Sequence, residues 1–96
     1  MRYGVYAIRD DLTGFLTPTL DQTDEAAARN FRHACINENN LFYSHASDYS
    51  LFKIGEYETD TGELFPCIPK SIILGIVIAI HTLSTSYPPG KFRQTP

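Results

Sequence analysis

The chain predicts an α+β domain with two β-hairpins flanking one helix plus a C-terminal strand, all in a single sheet with the helix packed on one face. Three observations predict it. The stretch Thr13-Gly14-Phe15-Leu16-Thr17-Pro18 is answered by Thr61-Gly62-Glu63-Leu64-Phe65-Pro66 at an offset of 48 residues, so one hairpin pattern occurs twice. Ala27, Phe31, Ala34 and Cys35 fall at i, i+4, i+7 and i+8, which draws one apolar stripe along a helix. From Ser71 to Ile80 the large residues Ile72, Leu74, Ile76, Ile78 and Ile80 alternate with Ile73, Gly75, Val77 and Ala79, and both the period and the β-branching indicate a strand.

In chain order, residues 2 to 9 (RYGVYAIR) are rich in β-formers and open the first strand, which Asp10-Asp11-Leu12-Thr13-Gly14 turns back into Phe15 to Thr17. Pro18 ends that strand, because proline cannot donate to a ladder. Thr23 is placed to cap the helix, Asp24 and Glu25 suit the positive end of its dipole, and Asn37 to Asn40 end it. Residues 41 to 48 (LFYSHASD) have no clean period and read as an ordered loop that tucks Phe42 or Tyr43 under the helix. The second hairpin turns at Thr59-Asp60-Thr61-Gly62, between Phe52, Ile54 and Tyr57 on one side and Leu64 and Phe65 on the other. After Pro66 the segment CIPK is expected to interrupt regular structure, since Pro69 restricts Ile68 as well. Residues 1–83 form one domain in this reading, and 84–96 (STSYPPGKFRQTP) a flexible tail containing proline and glycine.

Ninety-six residues suffice for one modest core without metal or disulfide staples. Residues 1 to 66 hold all 11 acids against five bases, a balance of −6, whereas 67 to 96 hold Lys70, Lys91 and Arg93 and no acid. The body therefore repels phosphate and the tail mildly attracts it. Cys35 and Cys67 lie in no metal-ligand spacing and read as reduced, small apolar residues of a reducing cytoplasm. The N-terminus lacks a signal-peptide core, and the nine apolar residues from Ile72 to Ile80 fall short of the ~20 that cross a bilayer, so a soluble protein without membrane contact is expected.

His33, His45 and His81 have no partner at ligand spacing, so neither a metal nor another cofactor is expected. No nucleophile elbow, P-loop or GxGxxG appears, and catalytic residues are expected to be absent. Asp10, Asp11, Glu56, Glu58 and Asp60 read as charge on turns and solvent faces. Arg29 and Arg32, three apart on the helix, could meet phosphate or an acidic partner. In the tail, Tyr87, Lys91, Phe92 and Arg93 interleave rings with bases, the combination on which single-stranded nucleic acid stacks and pairs its charge. Two bases release few counterions, so such binding would be weak and salt-sensitive. The Ile72, Leu74, Ile76, Ile78, Ile80 row would aggregate at an open edge and is expected to be covered by the helix, by its own sheet or by another subunit, and a homo-oligomer is expected.

The residues from Tyr6 through Asp10 and Pro18, the helix around Ala26-Ala27-Ala28-Arg29-Asn30-Phe31, then Leu41-Phe42, Asp48-Tyr49-Ser50-Leu51, Gly55-Glu56-Tyr57 and Thr61-Gly62 together resemble one known family. It is the small nonstructural protein of gokushoviruses, the tailless single-stranded DNA phages of the microvirus group. The resemblance covers about residues 3 to 70 and is most specific in DYSLFKIGEYETDTG, while Ala46-Ser47 stands where that family usually has a proline. It implies an intracellular phage protein absent from the virion, equated by genome position with the factor that turns replication toward single-strand synthesis and packaging. It brings no catalytic or binding residues.

The expected function is thus a non-enzymatic accessory in single-stranded DNA replication or packaging, in the host bacterial cytoplasm. Its expected partner is a phage replication or packaging protein or a host replication protein, with single-stranded DNA as a further ligand. The alternative is an assembly or host-takeover module working by protein contact alone through the Ile72–Ile80 strand.

Overall fold

The computed structural model describes residues 1–37, 39 and 41–78. The Tyr, Val and Ile-rich opening forms β1 (Arg2–Asp10), which pairs along its whole length with β4 (Tyr49–Glu58). The other edge of β1 takes two short pieces, β2 (Gly14–Phe15) and β3 (Thr19–Asp21), separated by Pro18. β5 (Leu64–Leu74) pairs with the far edge of β4, so the order is β2-β1-β4-β5 with every pair antiparallel. The expected α+β class with one sheet is what the chain adopts. Pro18 does interrupt the edge, and the chain then resumes pairing at Thr19 rather than leaving the sheet.

Both Thr-Gly corners exist. The Asp10 carbonyl accepts from the Thr13 N–H at 3.2 Å, and Gly14 follows at φ 101°. The Glu58 carbonyl accepts from the Gly62 N–H at 2.8 Å, and Gly62 has φ 77°. Left-handed backbone is what glycine takes without steric cost. The second corner is one residue longer, for Asp10 faces Gly14 whereas the Glu58 N–H donates to the Glu63 carbonyl at 2.9 Å.

α1 (Asp24–Ile36) starts as expected: Thr23 Oγ1 accepts from the Ala26 N–H at 3.0 Å, Asp24 and Glu25 occupy the first turn, and Asn37 ends the helix. Ala27, Phe31 and Cys35 are buried and meet Tyr6, Tyr49 and Leu51 from the sheet. The segment read as a loop is α2 (Leu41–Ser44) followed by a 3₁₀ turn (Ala46–Asp48). Of its two aromatics Phe42 goes inward, edge-on to Tyr49 with ring centroids 4.6 Å apart, and Tyr43 stays exposed.

The C-terminal part corrects two expectations. CIPK does not end the strand, because β5 runs through both prolines as an edge strand whose outward nitrogens need no donor hydrogen. The disturbance is absorbed as a bulge: Lys53 pairs with Lys70 and Gly55 with Pro66, leaving Cys67, Ile68 and Pro69 opposite Ile54 alone. The strand then stops at Leu74, and residues 75–78 are helical. The predicted Ser71–Ile80 strand fails there because β4 begins at Tyr49, so Ser50↔Leu74 is the last pair and further extended backbone would have no ladder partner. Coiling supplies hydrogen bonds within the segment. Gly75 allows it, since a Cβ on Gly75 would lie 2.9 Å from the Ala46 carbonyl carbon and closer still to two carbonyl oxygens. The isoleucine row is accordingly split. Ile73 pairs with Leu51 and packs on the core, Ile78 is buried in it, and Ile76 and Val77 face out.

Candidate interaction surfaces

Residues opposed in an antiparallel ladder share a face, and the face alternates along each strand. Tyr6, Ile8, Leu51, Tyr49 and Ile73 therefore lie on the side that α1, α2 and the 75–78 turn pack against. The reverse side carries Tyr3, Val5, Ala7 and Arg9 of β1, with their partners Tyr57, Gly55, Phe52 and Ser50 of β4. Phe15 and Leu20 continue it on one edge, Leu64 and Pro66 on the other. The described helices all pack on the first side, and Phe15, Leu20 and Leu64 on the second are 47%, 48% and 67% exposed.

This open face has relief. Phe15 and Phe52 meet edge to face at 5.5 Å and form a ridge. Beside it the Val5↔Gly55↔Pro66 row lacks a side chain at its centre, and an apolar trough of about 420 Å³ opens there, walled by Pro18, Ile54 and Leu64. Ile54 is the bulged residue of β4, since Tyr6 faces Lys53 and Val5 faces Gly55. Arg9 is the charged residue of this face, and its guanidinium is paired with Asp11 at 3.1 Å.

The helix side carries the charge. Tyr6 donates its hydroxyl hydrogen to Asp24 Oδ1 at 2.5 Å, and burial first, then that carboxylate, pushes the phenol well above its usual range. Lys53 Nζ stands 3.9 Å from Asp24 and 3.3 Å from Glu56, and Lys70 Nζ 3.8 Å from Asp24. Arg2 binds Glu56 at 3.0 Å and lies over the Phe65 ring at 4.0 Å. Hydrogen bonds from Arg2, then Lys53, hold the Glu56 carboxyl below the ordinary carboxylate range. The Met1 amine at 2.7 Å does the same for Glu58, which in turn raises the amine's pKa. These contacts neutralise one another, and each is explained as surface ion pairing.

The sequence-predicted residues are scattered. Arg29 and Arg32 are both exposed on α1, in no ion pair among the described residues, so a solvent-facing pair is in place. Tyr87, Lys91, Phe92, Arg93 and Ile80 lie outside the described residues, as does the expected tail. Ile72, Leu74, Ile76 and Ile78 do not form the single strand face expected of them: the first two lie on β5, Ile76 on the 75–78 turn, and Ile78 inside the core. Sequence reasoning missed the open face. The available signal was Gly55 inside a strand that also carries Tyr49, Phe52, Ile54 and Tyr57, a gap that marks a close approach or a depression.

Burial pushes the Cys35 thiol up to about 11, and neither cysteine is hydrogen-bonded to a histidine among the described residues. Among the same residues no group of three or more His, Cys, Asp or Glu could hold a metal ion, and no helix is long and apolar enough to cross a membrane. A family model described as Phage ORF5 protein matches residues 3–78. No curated protein and no solved structure matches the chain.

Proposed function

The chain belongs to the Phage ORF5 protein family, and on that premise we propose that it is a non-enzymatic phage accessory protein that works by macromolecular contact in the replication or packaging of a single-stranded DNA genome. In this reading it is the gokushovirus type of the family, acts in the host cytoplasm, and engages a replication or packaging protein, with single-stranded DNA as a secondary ligand. The observation that carries the contact reading is the apolar sheet face with its trough of about 420 Å³, which no described helix covers and on which Phe15, Leu20 and Leu64 are exposed. The acid-rich body supports a protein as the principal partner, since its field opposes phosphate. The exposed Arg29–Arg32 pair supports a minor, salt-sensitive contact with a phosphate backbone.

Capture of the tagged full chain from infected cells tests the first part. A phage or host replication or packaging protein should be retained, and recovery of capsid or lysis proteins in its place would overturn the assignment. Anisotropy of a labelled single-stranded oligonucleotide tests the second. Affinity should fall steeply with salt and weaken when Arg29 and Arg32, or Lys91 and Arg93, are changed to Ala. Affinity indifferent to salt and to both pairs would remove DNA from the account.

A further inference from the structure

We propose that the open sheet face is a self-complementary docking surface on which a second copy of this chain stacks, sheet against sheet. Three features of the face select that occupant. The first is relief. The Phe15–Phe52 ridge and the trough over Gly55 lie side by side along β4, two ladder steps apart because Ile54 is bulged out, or roughly 7 Å at strand spacing. A two-fold axis lying in the interface, across β4 and between Phe52 and Gly55, carries the ridge of each copy into the trough of the other. A closed dimer needs such an isologous match, in which one patch supplies both the projecting and the receiving part.

The second feature is charge. Two copies of one acidic chain repel wherever their acids face. Asp24 and the carboxylates of Glu56 and Glu58 are engaged on the helix side with lysines, Arg2 or the N-terminal amine, whereas Arg9 of the open face is matched by Asp11. Glu56 also lines the trough, but its carboxylate is held by Arg2 and Lys53, so two open faces meet with these carboxylates already paired, and the largely apolar trough wall of one receives the rings of the other. The third is area. Four strands at about 4.8 Å and about eight residues at about 3.3 Å give roughly 500 Å² in projection. Side-chain relief raises the accessible area toward the ~800 Å² per partner of a standard interface. Aligned sheets packed in this way stand about 10 Å apart, a separation the rings and Leu64 can fill.

This inference rests on the same face that supports the contact reading, and the two fail separately: sedimentation reads self-association alone, whereas capture from infected cells reads the replication or packaging partner. Sedimentation velocity of the full chain across the micromolar range tests it. The wild type should shift reversibly from monomer to dimer. Phe15→Glu on the ridge and Leu64→Glu on the trough wall, both at exposed positions, should each weaken association by at least about tenfold, with the far-ultraviolet circular dichroism unchanged. Ile76→Lys, on the opposite side, should leave association as it was. Should Phe15→Glu fail to fold, Leu64→Glu decides alone, because Leu64 is the more exposed of the two. A wild type that stays monomeric would overturn the proposal. So would a dimer that survives either folded glutamate variant, or one that only Ile76→Lys dissociates.

Discussion

The two faces of the sheet are built from the same strands and the same kinds of residue, yet they end in opposite situations. On β1, Tyr6 and Ile8 alternate with Val5 and Ala7; on β4, Tyr49 and Leu51 alternate with Phe52. One set meets Phe31, Ala27 and Cys35 of α1 and becomes the core, while the other meets no described helix and keeps half-exposed phenylalanine and leucine. Apolar content thus does not distinguish core from contact surface here. The position of a single capped helix does.

That comparison can be broken from either side. On the covered face, Phe31→Ala removes a ring that is 3% exposed, and urea unfolding should show a loss of about 3–5 kcal/mol, the usual cost of emptying an aromatic core site. Phe15→Ala, on the open face, should cost the monomer only about 1 kcal/mol, because half of that ring is already in water. Equal losses would mean that both faces are core. Between these extremes, Tyr6→Phe keeps the ring and deletes the hydroxyl that Asp24 accepts, and about 1–2 kcal/mol should go with it. The smallest effect is electrostatic. Glu56 and Glu58 have carboxyls held below their ordinary value of 4.5, so the stability they contribute is present above that value and lost as pH falls through their lowered folded values. The urea midpoint should decline modestly on acidification below pH 4.5, and the decline should shrink when Arg2 is changed to Ala.

How far these faces could be read in the sequence depended on the range of the interactions that make them. The Thr23 cap, the acidic first turn, the Ala27/Phe31/Cys35 stripe and the two glycine corners depend on neighbours a few residues away, and all were legible. The fate of Ile72 to Ile78 was not, because it depends on where β4 starts, and β4 starts after a 3₁₀ turn that has no periodic signature. The prolines of β5 read as a break because their edge position appears only once β4 is known to have β1 on its other side. For the candidate site the limit was sharper. Alternation in β1 puts apolar residues on both faces, and no local pattern says which one the helix takes. The exposed Arg29–Arg32 pair was legible from helical spacing alone, whereas ridge and trough require the register of β1 against β2, β4 and β5.

The central claim is that the sheet face no described helix covers makes contacts through its relief, and isotope-filtered nuclear Overhauser spectroscopy on an equal mixture of labelled and unlabelled full chain tests it most directly. Cross-peaks between the rings of Phe15 and Phe52 in one copy and the side chains of Ile54 and Leu64 in the other are predicted. Intermolecular cross-peaks confined to Ile76 and Val77, or none at concentrations where the chain is dimeric, would contradict it.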